Sequence, residues 1–184
     1  KYVKALDQFE ALLKTEGVAR VKDKILFWLG EIYAKGRAYQ QAIGFYQDLI
    51  KNYKDSSYYL SAYKSLAQAQ FNDGSFKEAM ATYRLMAGEF KDSTVTEEAD
   101  FGVSECLYRM RQYGELKSEI EKFFLKYPRS PILGRGYLYL SEANFYLSNY
   151  EEAIEAYRQA VTNSSDKEQW NIAQLGLGWS YLKL

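Results

Sequence analysis

The sequence predicts an all-α solenoid built from antiparallel helix pairs, and three observations carry that prediction. An aromatic column recurs every 37 residues, at Tyr39, Phe76, Tyr113 and Tyr150. A second, aliphatic column recurs at the same spacing, at Leu29, Leu66, Val103, Leu140 and Leu177. Only 2 prolines and 12 glycines interrupt 184 residues that are 47% hydrophobic, which leaves room for long helices and is sparse punctuation for an all-β fold. Self-similarity at a fixed period of this length marks a repeat architecture.

The elements follow in order. Shifting the aromatic column back by one repeat asks for an aromatic near residue 2, a small residue at 5 and an aromatic at 9. Tyr2, Ala5 and Phe9 fill those places, followed by Leu12 and Leu13, so the first helix runs over 2–15. A helix of the second kind follows at 20–35, where Leu29 precedes small Gly30 and then Ile32. Over 39–52, Tyr39, Ala42, Tyr46 and Leu49 lie three and four residues apart and share one helical face. The alternation then repeats. Helices of the second kind, designated A, are expected at 57–73, 95–110, 132–147 and 167–183, each with its aliphatic residue followed by Ala67, Ser104, Ser141 or Gly178. Helices of the first kind, designated B, are expected at 76–89, 113–126 and 150–163, which brings the count to ten. A small residue at a fixed place in every helix A implies a close helix crossing there.

The links are short. Gly36-Arg37, Asp73-Gly74-Ser75 and Ser148-Asn149 join A to B, while Asp55-Ser56-Ser57, Asp92-Ser93, Pro128 to Pro131 and Asn163 to Asp166 join one repeat to the next. Ser, Asp and Asn there can satisfy free amides of the following helix, and Pro131 suits a first helical turn. Two helices with short links give antiparallel pairs that stack.

At this point a family resemblance is visible. Trp28-Leu29-Gly30-Glu31-Ile32-Tyr33, followed by Ala42 and Tyr46, resembles the tetratricopeptide consensus, in which Leu-Gly-x-x-Tyr precedes a downstream Ala and aromatic. Leu66-Ala67 with Ala79 and Tyr83, and Leu140-Ser141 with Ala153 and Tyr157, look like further copies. Lys126-Tyr127-Pro128-Arg129-Ser130-Pro131 is similar to a link common in bacterial cell-envelope members, including outer-membrane assembly lipoproteins and Tol-Pal-associated proteins. The repeat here is 37 residues, against 34 in the usual tetratricopeptide. The third repeat departs most, with Leu116 at the small position and Ile120 at the aromatic one. The resemblance implies a right-handed superhelical solenoid that binds protein and carries no catalytic residues of its own.

The expected organisation is a single solenoid over 1–184: helix B of a preceding repeat at 2–15, repeats at 20–53, 57–89, 95–126 and 132–163, and helix A of a further repeat at 167–183. Neither end presents the polar face of a terminal cap. The expectation is therefore a piece of a longer repeat protein; the rival is a small complete protein whose ends pack on a partner or a second copy.

In the family, helix A lines the concave groove. Carried over by position, the resemblance implies a ladder of Glu31, Gln68, Glu105, Glu142 and Trp179, and a second of Phe27, Lys64, Phe101, Leu138 and Leu175. A third holds Ala34, Phe71, Tyr108, Phe145 and Leu182, with Arg109 and Arg135 modulating the field at one end. Carboxylates flanked by rings suit a peptide with basic and apolar side chains. Two plainer readings stand beside this one: the glutamates as a solvated helix face, and the rings as packing between adjacent A helices.

Composition narrows the rest. The 24 Lys and Arg balance 24 Asp and Glu, so the basic excess of a nucleic-acid binder is missing. The absence of histidine removes imidazole acid–base chemistry and the commonest zinc nitrogen ligand. Cys106, the only cysteine, cannot form an intramolecular disulfide and reads as a small core filler. No apolar run reaches the length of a membrane span. No cofactor or metal is expected. The functional expectation is a protein-interaction scaffold, with assembly of a bacterial envelope or periplasmic complex as the setting the resemblance implies. The alternatives are the non-catalytic superstructure of a larger envelope hydrolase and a self-associating module.

Overall fold

A computed structural model describes residues 2–15, 17–164 and 166–184; the Tyr2 side chain, Lys1 and Ser165 of the last link lie outside the described residues. The described chain is all-α, with ten α-helices and one short 3-10 turn at Val18–Arg20. Its contacts divide it into two compact units, Lys1–Glu89 and Phe90–Leu184.

The first unit holds α1 (Tyr2–Leu13), α2 (Lys22–Lys35), α3 (Tyr39–Asn52), α4 (Tyr59–Asp73) and α5 (Phe76–Glu89). Each helix packs on the next. The core gathers Leu26, Phe27, Ala42, Tyr46, Leu49 and Leu66, of which Ala42, Tyr46 and Leu49 lie on the stripe that the three-and-four spacing marks on α3. A fully buried side chain of this size contributes about 1.5–3 kcal/mol. Small Gly30 has a concrete cause: a Cβ there would lie 2.4 Å from the Tyr46 ring of the facing helix, so the aromatic of helix B sits directly on helix A.

The second unit holds α6 (Ser93–Arg109), α7 (Tyr113–Lys126), α8 (Leu133–Tyr146), α9 (Tyr150–Asn163) and α10 (Lys167–Lys183). Its helices pack in the same sequential way, and α8 also touches α6 and α10. The unusual third repeat is accommodated by a volume exchange. Leu116 and Ile120 are both fully buried, the larger residue at the small place offsetting the smaller one at the aromatic place.

Every A-to-B link turns at one register position. Arg37, Gly74, Arg111 and Ser148, each 37 apart, have φ of 59°, 85°, 58° and 63°. The chain then closes a Schellman motif, seen in Ala38 N to Tyr33 O at 2.9 Å and Asn149 N to Asn144 O at 2.9 Å. The repeat-to-repeat links use another device. Ser56 Oγ accepts from Tyr58 N and donates to Asp23, and Ser130 Oγ accepts from Ile132 N and donates to Glu97. Asp92 caps α6 by accepting from Thr94 N and Val95 N, which starts that helix at Ser93 rather than at the expected residue 95. Pro131 lies in the turn before α8, not in its first helical turn.

Candidate functional site

The ladders expected on the A helices separate into buried and reachable members. In the first unit Phe27 is a core residue packed on Tyr58 and Tyr46. Glu31 is half-buried, and its Oε1 accepts from Tyr46 Oη at 2.8 Å and Ser65 Oγ at 2.7 Å. Burial first, then that bond to Glu31, holds the Tyr46 hydroxyl far above its ordinary range. Glu31 therefore joins α2 to α3 and α4. Gln68 is exposed and donates to Asn72 one turn on, while Lys64, Ala34 and Phe71 are half-buried.

In the second unit Phe101 and Leu138 are interior, at 2% and 7% exposure. Phe101 stacks on Tyr139, which stacks on Tyr108 at 4.5 Å, and the Arg135 guanidinium lies 4.5 Å from the Phe101 ring. These rings fill the space between adjacent A helices. Phe27, Phe101 and Leu138, expected along a groove, thus offer little area to a ligand, because helix A is buried over more of its circumference than one stripe.

Glu105 and Glu142 are half-buried on α6 and α8. Glu105 Oε1 stands 3.5 Å from Arg135 Nη1 and 3.5 Å from the Tyr139 hydroxyl. Glu142 Oε2 accepts from Tyr108 Oη at 2.5 Å. Burial raises both carboxyl pKa values above the ordinary 4.5; Arg135 and Tyr139 pull Glu105 back down, and Tyr108 does so for Glu142.

One cleft gathers four of the expected residues. It encloses about 250 Å³ between α8, α9 and α10, with Glu142, Phe145, Leu175 and Trp179 on its walls. Sequence reasoning missed Tyr146, Tyr157 and Ile172, which also line it. Tyr157 is only 4% exposed, yet its ring forms the floor because Gly176 leaves the space: a Cβ there would lie 2.2 Å from that ring. Gly176 occupies a column that holds Trp28, Ser65, Gly102 and Tyr139 in the other A helices, and that variation was the available signal. Leu175 and Trp179 are 64% and 53% exposed, so the cleft opens to solvent along an apolar wall. Leu182 is exposed further along α10.

Among the described residues no three or more acidic or cysteine side chains cluster as metal ligands. Cys106 is buried, and burial first, then neighbouring Glu105, pushes its thiol up to about 12, far from a thiolate nucleophile. No described helix is long and apolar enough to cross a membrane.

A family model described as tetratricopeptide repeat matches residues 25–56. The fold is that of a tetratricopeptide solenoid. No curated protein matches the sequence. Among solved structures, the apo form of RapI superposes with a TM-score of 0.77 at 14% identity; it covers 98% of this chain, which spans 54% of RapI. YrrB, described as a TPR protein with an unusual peptide-binding site, superposes with a TM-score of 0.70 at 16% identity, covering 95% of this chain and 84% of its own. BtubC from P. vanneervenii superposes with a TM-score of 0.71 at 13% identity, covering 99% and 81%. At such identities the likeness is one of fold.

Proposed function

We propose that this tetratricopeptide solenoid is a non-catalytic scaffold that binds a segment of another protein, and that the α8–α10 cleft is where the segment seats. The observation that carries the reading is the cleft itself: Leu175 and Trp179 stand open to solvent beside Glu142 and the Tyr157 floor. An exposed tryptophan beside a tyrosine floor is aromatic area of the kind in which binding hot spots are enriched. YrrB, a neighbour in fold, is described by its peptide-binding site, which supports the same class of activity.

The setting we infer is a bacterial cell-envelope or periplasmic complex. Its support is the Lys126 to Pro131 link, which is similar to one common in envelope members of the resembled family.

Random peptides selected on the immobilised chain and carrying a photoreactive residue test the site. Cross-links mapping to Tyr146, Ile172 or Trp179 support it, and cross-links confined to exposed residues of α7 such as Leu125 overturn it. Fractionation of the source cells tests the compartment: recovery of the protein with cytosolic markers alone contradicts the envelope setting.

A further inference from the structure

The cleft has a chemistry narrower than that of a general peptide groove. Four aromatic rings, those of Phe145, Tyr146, Tyr157 and Trp179, line its space, and among the described residues Glu142 is the charged one in that lining. A carboxylate favours a positive guest and repels an anion, and a ring that turns its negative face to the guest adds to that preference.

Glu142 also differs from its counterpart one repeat earlier. Glu105 has the guanidinium of Arg135 3.5 Å away, whereas Glu142 receives the neutral hydroxyl of Tyr108. A neutral donor orients a carboxylate without cancelling its charge. At about 250 Å³ the space falls below the ~300–1,000 Å³ of pockets that take whole small molecules, and it suits a single side chain.

We propose that the cleft takes the cationic end of one lysine or arginine side chain from the bound segment, its charged group at Glu142 among the rings and its alkyl stem along Ile172 and Leu175. This rests on the reading of the cleft as a protein-binding site. A partner segment would then be anchored by one basic residue at this position, with apolar neighbours meeting Trp179.

The test uses small probes on the isotopically labelled chain, following the Trp179 indole NH signal, assigned from a Trp179→Phe spectrum. n-Butylammonium and n-butylguanidinium chloride are titrated at constant ionic strength, with n-pentanol as the neutral control. Both cations are expected to shift the signal saturably, with pentanol weaker by about ten-fold or more. Glu142→Gln should weaken the cations by about ten-fold while leaving pentanol and the folded spectrum unchanged. Pentanol matching the cations, cation binding that survives Glu142→Gln, or cation shifts that never saturate would each overturn the proposal. Selected peptides that occupy the cleft without Lys or Arg also overturn it, while leaving the protein-binding reading intact. Saturable cation binding in a chain that captures no peptide leaves the cleft a cation site but overturns the assignment of that cation to a bound segment.

Discussion

The Tyr108 hydroxyl donates to Glu142 Oε2 across 2.5 Å, tying α6 to α8 one repeat further on. The same bond orients the half-buried carboxylate at the cleft through a neutral hydroxyl, with no lysine or arginine bonded to it among the described residues. Tyr108→Phe removes the donor and leaves Glu142 short of a partner, at an expected cost of about 1–3 kcal/mol. Urea unfolding of Tyr108→Phe, Glu142→Ala and the double variant should give a coupling of about 1 kcal/mol. Purely additive losses would mean that the two groups do not interact.

The pH dependence of stability follows from Glu142. Its folded pKa is raised above 4.5, by burial first, so the folded state holds its proton more tightly than the unfolded chain does. That contribution is complete below 4.5 and is lost as pH rises through the folded value. Melting temperatures measured from pH 4.5 to neutral should therefore fall in the native chain relative to Glu142→Gln as pH increases. A constant difference across that range would contradict the assigned direction.

Two glycines on facing helices should respond in opposite senses. Gly30→Ala drives a methyl into the Tyr46 ring, 2.4 Å away, and should cost about 1–3 kcal/mol. Gly44→Ala on α3 meets nothing within 4 Å and should gain about 1 kcal/mol from helix propensity. Chemical unfolding of the two variants reads the signs directly, and a neutral or stabilising Gly30→Ala would dispute the packing of Tyr46 on α2.

The helix pairing was legible because each stripe repeats with the period of the helix and again with the period of the repeat. Tyr46, Leu49, Leu66 and Val103 are interior, as their columns require. The left-handed turn was less visible: Gly74 announces it, but Arg37, Arg111 and Ser148 adopt the same conformation without the residue that signals it. The site was legible only in part. Position along helix A identifies Glu142, Phe145 and Trp179, but it cannot separate them from Phe27 and Phe101, since neighbouring helices bury A on several sides. Tyr157 reaches the cleft only through the space above Gly176, a relation between two helices that no single stripe contains.

The turn residues supply their own test. Arg37→Gly, Arg111→Gly and Ser148→Gly each relieve a left-handed backbone that costs about 1–2 kcal/mol for an L-residue, less the entropy glycine loses on folding. Each should raise stability by up to about 1 kcal/mol, and Gly74→Ala should lower it by a similar amount. Melting curves that rank these four variants in the reverse order would contradict the turn geometry.

The central claim is that the chain binds protein through the α8–α10 cleft, and calorimetric titration with a peptide selected on the native chain tests it most directly. Trp179→Ala should weaken binding by at least about 30-fold, the loss of a hot-spot ring, while Leu125→Ala on α7 leaves affinity within about two-fold. Full affinity in Trp179→Ala, with the loss appearing in Leu125→Ala instead, would contradict the account.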